Sequence, residues 1–159
     1  MKVFVRQHLK LQQLSAASKV TYTIFLAFAA LGMASSIVLG GMKTHGTYAG
    51  TVAYYRGDEA LSLYRKTPLE LLETTHFHLF SQPILFFIIG HIFLLSTLPK
   101  VVKAGVVCLS FAAIAADGVS PWLIVYAAPG FAALKIAAGS ALAACFLVEF
   151  LVSLREMWW

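Results

Sequence analysis

The chain has 159 residues, of which 60% are hydrophobic and only 12% charged, and its mean hydropathy is +0.81. Soluble domains carry roughly 25% charged residues, so a water-soluble globule is excluded, and the length leaves room for one compact unit. The formal net charge of +5 comes from basic residues at the ends of apolar runs, a distribution that argues for a bilayer and against nucleic acid as partner.

Four runs are long enough, or nearly so, for the roughly 20 residues that cross a bilayer: about 20–42, 76–98, 101–116 (or on to 126) and 131–154. In lipid each segment must satisfy its own backbone, so the runs read as helices. They are continuously apolar rather than alternating, which argues against a barrel. The expected fold is all-α, an integral membrane four-helix bundle forming a single domain over 1–159. Lys2, Arg6, Lys10 and Lys19 precede the first run, Lys100 and Lys103 sit between the second and third, and Arg155 follows the fourth. By the positive-inside rule these ends are cytoplasmic, which predicts an N-in, C-in protein of the bacterial inner membrane. Trp158 and Trp159 suit an anchor at the inner interface.

The first run follows a polar stretch and is too long for the apolar core of a signal peptide, so it is expected to stay as a signal anchor. Gly32, Ser36 and Gly40 recur every four residues on it, and Ala133, Ala137, Ala141 and Cys145 do the same on the fourth run. Such small faces let helices approach closely. Packing inside the bundle is the favoured use, and a homo-oligomer seam is the other.

The outer loop, 43–67, mixes aromatics and glycines with His45, Arg56 and Arg65. That mixture predicts an ordered cap at the membrane surface rather than free coil. It ends in a helix start: Thr67 as N-cap, Pro68 at the first helical position, Glu70 as capping-box partner. The second helix should therefore begin outside the hydrocarbon and extend into the periplasm, reaching about 45 Å to residue 98. After the third run, Asp117-Gly118-Val119-Ser120-Pro121 either ends the helix or kinks it.

Three of the five histidines, His76, His78 and His91, fall on this second helix, just after Glu70 and Glu73. Ionisable groups at membrane depth are rare unless they have work to do. With Glu70 set at zero and about 100° per residue, Glu73 falls near 300°, His76 near 240°, His78 near 80° and His91 near 300°. His76 and His91 thus share a side, about 22 Å apart along the axis, and His78 faces away from both.

Two histidines so spaced along one membrane helix of a four-helix chain resemble the arrangement in membrane b-type cytochromes. The resemblance implies haem b as cofactor, with axial ligands from His76 or His78 at the outer level. His45, just past the first span, stands at the level where it could supply the second ligand. Arg56 and Arg65 would face the propionates, and His91 would be an inner ligand or a quinone contact. The function implied is electron transfer between a quinol or membrane partner and a periplasmic acceptor, as a small subunit of a redox complex.

The same residues admit a transition-metal site. Glu73-x-x-His76 places a carboxylate and an imidazole one turn apart, and Glu70, His45 and His78 extend the set toward iron, zinc or copper. A non-catalytic accessory subunit, whose histidines only pack, is the reading from another class. Asp117 and Lys135, near the outer ends of their spans, are expected to pair. Glu149 is expected to snorkel or to pair with Lys103 or Arg155. Cys108 and Cys145 read as structural thiols, with a Cys₂His site at the depth of His91 as the other option.

Overall fold

The computed structural model describes residues 10–159; Lys2, Arg6 and His8 lie outside the described residues. Five α-helices follow in chain order: α1 (Ala16–Thr44), α2 (Tyr48–Arg56), α3 (Pro68–Leu94), α4 (Lys100–Tyr126) and α5 (Ala132–Trp158). Four of them are long and apolar enough to cross a membrane, and α2 is a short helix in the cap between α1 and α3. Among the described residues there is no strand, only one isolated bridge between Asp58 and Leu63. The fold is the all-α membrane bundle that the hydropathy implies.

Local chemistry sets the element ends. Ser15 caps α1 by accepting from the Ser18 amide. At the other end His45 (φ 52°) and Gly46 (φ 64°) are both left-handed, which turns the chain sharply out of the helix. Thr67 and Glu70 close a capping box at the start of α3, with Pro68 in the first turn, as the sequence requires. Pro83 lies inside α3 without ending it.

The third span does not break at Asp117–Pro121: α4 runs unbroken to Tyr126. The reason lies in the partners. A proline inside a helix orphans the carbonyl four residues before it, here that of Asp117. Ser120 Oγ donates to that carbonyl at 3.0 Å, and Lys135 Nζ approaches it at 3.4 Å.

Helices α4 and α5 are antiparallel neighbours with the most extensive contact, and α3 packs against both. Their shared core holds Phe86 and Ile89 of α3, Ala113 and Ile114 of α4, and Leu142 and Phe146 of α5. Leu26 and Ala29 of α1 join it, and Leu11 closes it at the end away from the cap. A second cluster under the cap joins Tyr55 of α2, Leu71, Ile124, Val125 and Ala132. Side chains such as Phe28, 71% exposed, and Phe87, 63% exposed, point outward, where lipid tails cover them at no hydrophobic cost.

Helix α1 is the least buried span. Gly32, Ser36 and Gly40 are exposed, and a Cβ on either glycine would meet nothing within 4 Å. The expectation that this small-residue face packs inside the bundle is therefore corrected: it continues the side of α1 that carries Leu26 and Ala29, but beyond Met33 the helix leaves the core and its residues to Lys43 are exposed. On α5, Ala133 and Ala137 are likewise exposed, and Cys145 is buried.

At the end opposite the cap, Glu156 accepts from the Thr97 amide and hydroxyl at 2.7 and 2.8 Å. Lys103 Nζ donates to the carbonyls of Leu94 and Ser96, a cation on the exposed carbonyls of the α3 C-terminus. Trp158 donates to Thr23 at 3.0 Å with Lys19 over its ring.

Candidate functional site

The polar residues of the cap-side half converge on Asp117. This residue is 5% exposed, on the face of α4 between α3 and α5. Lys135 of α5 reaches Oδ1 at 2.6 Å, and His78 Nδ1 of α3 lies 3.4 Å from Oδ2. Gln82, one turn beyond His78, brings Nε2 to 3.5 Å from both Oδ2 and His78 Nδ1. Nδ1 cannot serve both neighbours: it donates to Asp117 when it carries hydrogen and accepts from Gln82 when it does not. A carboxylate shared by an ammonium and an imidazole joins the three most closely packed helices through one group. Charge in hydrocarbon persists only when matched in this way. Next to it, Trp122 of α4 donates to Thr75 of α3 at 2.9 Å.

The cap closes over this cluster. Arg56 Nη1 donates to the Ile124 carbonyl at 3.0 Å, and Arg65 Nη2 to the Val125 carbonyl at 2.6 Å, with its guanidinium over the Tyr126 ring. Both arginines thus satisfy the open carbonyl end of α4, where positive charge is favoured. Both were expected to face haem propionates; here each gives one N–H to a carbonyl of α4, and both side chains are otherwise exposed. Tyr55 sits beneath, and burial first, then Tyr54 and the Asp117 carboxylate, hold its hydroxyl well above the ordinary tyrosine range. Tyr48 donates to the Pro129 carbonyl at 3.1 Å and ties α2 to the turn between α4 and α5.

The residues offered by the sequence as ligands are distributed differently from the expectation. His45 is exposed, as the left-handed cap of α1. Glu70 is committed to the capping box and to Lys66, 2.7 Å away, and its hydrogen bond raises the Lys66 ammonium above the usual lysine range. Glu73 and His76 are exposed, and the His76 ring lies tilted beside Phe80 with ring centroids 5.0 Å apart. His91 is also exposed, beside Phe87 at 5.8 Å. Among the described residues, no three His, Cys, Asp or Glu side chains gather into a metal-holding group. Neither the set of His45, Glu70, Glu73, His76 and His78 nor the Cys₂His option assembles within one copy.

One arrangement does form. Glu73, His76, Phe80, Ile84, Phe87, His91 and Leu94 are all exposed, and their spacing of three and four places them in one stripe along α3. The helical angles put His76 and His91 on a common side, and the structure turns that side outward. His78 goes inward, to Asp117. The pairing of Asp117 with Lys135 is as expected. The Gln82 contact was not foreseen, although its place four residues after His78 would have flagged it.

A family model described as a transmembrane helical domain matches residues 45–159, which takes in α2 to α5. No curated protein and no solved structure matches the chain.

Proposed function

We propose, for a chain that belongs to this transmembrane helical domain family and crosses the bilayer several times, a role as a haem b-binding electron-transfer subunit of a larger membrane redox complex. The observation that carries the reading is the outward stripe of α3, with an imidazole near each end and phenylalanines between them. A histidine exposed to hydrocarbon is costly, so this face calls for a covering partner. The fit to haem is partial within one copy. Each level offers one accessible imidazole, His76 or His91, beside an apolar ring that suits a porphyrin face. His45 stands away on α1 and His78 is tied to Asp117, so the second ligand at each level would come from a partner helix.

Haem, when bound, supplies one-electron redox chemistry. The chain's part is to present His76 and His91 about 22 Å apart along one helix and to keep water from them with Phe80 and Phe87. At the His91 level an imidazole facing outward also suits a hydrogen bond to a quinone. The basic end bearing Lys19, Lys100, Lys103 and Arg155 would be cytoplasmic and the cap periplasmic, in a bacterial inner membrane.

The test is an absorbance spectrum of the protein purified in mild detergent with its membrane partners. The expected result is a Soret band with reduced α-bands, diminished separately by His76→Ala and His91→Ala. A colourless preparation, free of haem and iron, with its partners retained, overturns the reading. That outcome would favour an accessory subunit docked through the same stripe. The commitment of His78, Glu70, Arg56 and Arg65 to the fold speaks for this second reading.

A further inference from the structure

Glu149 lies on α5, toward the end away from the cap, and none of its surface is exposed. Ser110 of α4 lies 3.1 Å from Oε1, and Oε2 has no partner. Ser153, one turn further along α5 and also fully buried, has an unpartnered Oγ. A helical serine ordinarily bonds back to a carbonyl of its own helix, and this one does not. Residues four apart share a helix face, about 6 Å apart along the axis, so Glu149 and Ser153 occupy successive turns of one buried face of α5. Ser96, in the turn between α3 and α4, adds a third buried oxygen without a partner. Of the four such atoms among the described residues, only Gln82 Oε1 belongs to the cap-side cluster.

No cation answers this carboxyl. The expected pairing with Lys103 or Arg155 does not form: Lys103 is spent on the Leu94 and Ser96 carbonyls, and Arg155 is exposed. In the half of the bundle away from the cap, the other titratable groups on the elements packed around Glu149 are Cys145 and Glu156 on α5, Lys100 and Cys108 on α4, His91 on α3, and Lys19 and Tyr22 on α1, with Lys10 beside Leu11. None of the described residues forms an ion pair with Glu149. The hydrogen bonds sharpen the point. Ser110 has one hydrogen and two acceptors in reach, the Val106 carbonyl at 2.9 Å and Glu149 Oε1 at 3.1 Å. If it serves the nearer carbonyl, its oxygen meets Oε1 lone pair to lone pair, unless a proton or a metal ion stands between.

We propose that Glu149, Ser110 and Ser153 form an intramembrane site for a single small cation, an alkali-metal ion or a proton. A carboxylate and two hydroxyls are hard oxygen donors, suited to such an ion. One positive charge would neutralise a carboxylate that hydrocarbon otherwise penalises.

The site is tested by thermal unfolding of the full chain in detergent. In one arm sodium replaces choline at constant ionic strength and pH; in the other, pH is lowered in sodium-free buffer. For the wild type a midpoint rise of about 5 °C or more is expected at saturation, with little or none for Glu149→Gln. A rise with sodium identifies an alkali-metal ion, and a rise only on acidification identifies a proton. Ser153→Ala keeps the carboxyl and is expected to shift the concentration at half-response about tenfold. A wild type that responds to neither sodium nor acid overturns the site, as does a response that Glu149→Gln shares in full. An unshifted half-response in Ser153→Ala removes Ser153 from it.

Discussion

Asp117 shows how one side chain decides several others. Its Oδ1 holds Lys135, its Oδ2 faces His78, and its backbone carbonyl takes the Ser120 hydroxyl. Removing the charge leaves the Lys135 ammonium partly buried without a counter-ion, and breaking such a pair costs about 3–5 kcal/mol. Asp117→Asn should therefore lower stability by about 3 kcal/mol in detergent unfolding. Combining it with Lys135→Met should recover most of the loss, because replacing both charges by apolar groups is often neutral. A double variant as unstable as Asp117→Asn alone would show that the pair is not what stabilises this region. Residue chemistry also separates the two cysteines. Cys108 is exposed on α4 and Cys145 is buried on α5. A membrane-permeant maleimide should label Cys108 in the folded protein and Cys145 only after unfolding, as read by intact mass.

The cap is built by short-range signals. Gly57 ends α2 with φ 85°, where an L side chain is strained. A Cβ there would also stand 2.8 Å from both the Arg65 nitrogen and the Leu63 oxygen. Gly57→Ala should destabilise the cap by about 1–3 kcal/mol. The expected signature is faster amide exchange over α2 and the loop to Thr67, with the core of α3 to α5 unchanged. Thr67→Ala removes the cap of α3 and should cost about 1 kcal/mol. Only the second signal is read from the sequence: Thr67-Pro68 and Glu70 announce a helix start by residue type alone. The continuity of α4 was not legible. Gly118 and Pro121 argue for a break, and the groups that offset the proline are a hydroxyl next to it and a lysine on another helix.

Over the whole molecule, α3, α4 and α5 form the packed unit and α1 stands to one side, its residues beyond Met33 exposed as far as Lys43. The family match over residues 45–159 covers the packed unit and omits α1. The two intramembrane polar groups are separated along the bundle. Asp117 with His78 and Lys135 lies under the cap, and Glu149 with Ser110 and Ser153 lies toward the far end. The first is matched in charge and reads as a lock between helices. The second is unmatched. A third set, His76 and His91, faces out. If that stripe is covered by a partner, replacing His76 and His91 together by leucine should leave the fold intact by helical content. It should weaken co-purification of the partner and abolish any haem spectrum.

By itself the sequence determined the class, the number of spans, the capped start of α3 and the common side of His76 and His91. These follow from hydropathy, from capping chemistry and from the 3.6-residue repeat, all of which act within one helix. Only the tertiary structure decided which side of each helix turns inward. Apart from its scattered polar groups, α3 is apolar nearly all round, so no stripe announces the buried face; the packing of Phe86 and Ile89 against α4 and α5 does. That rotation sends His78 to Asp117 and leaves His76 and His91 outside. The same kind of choice on α5 buries Glu149 and draws it away from Lys103 and Arg155.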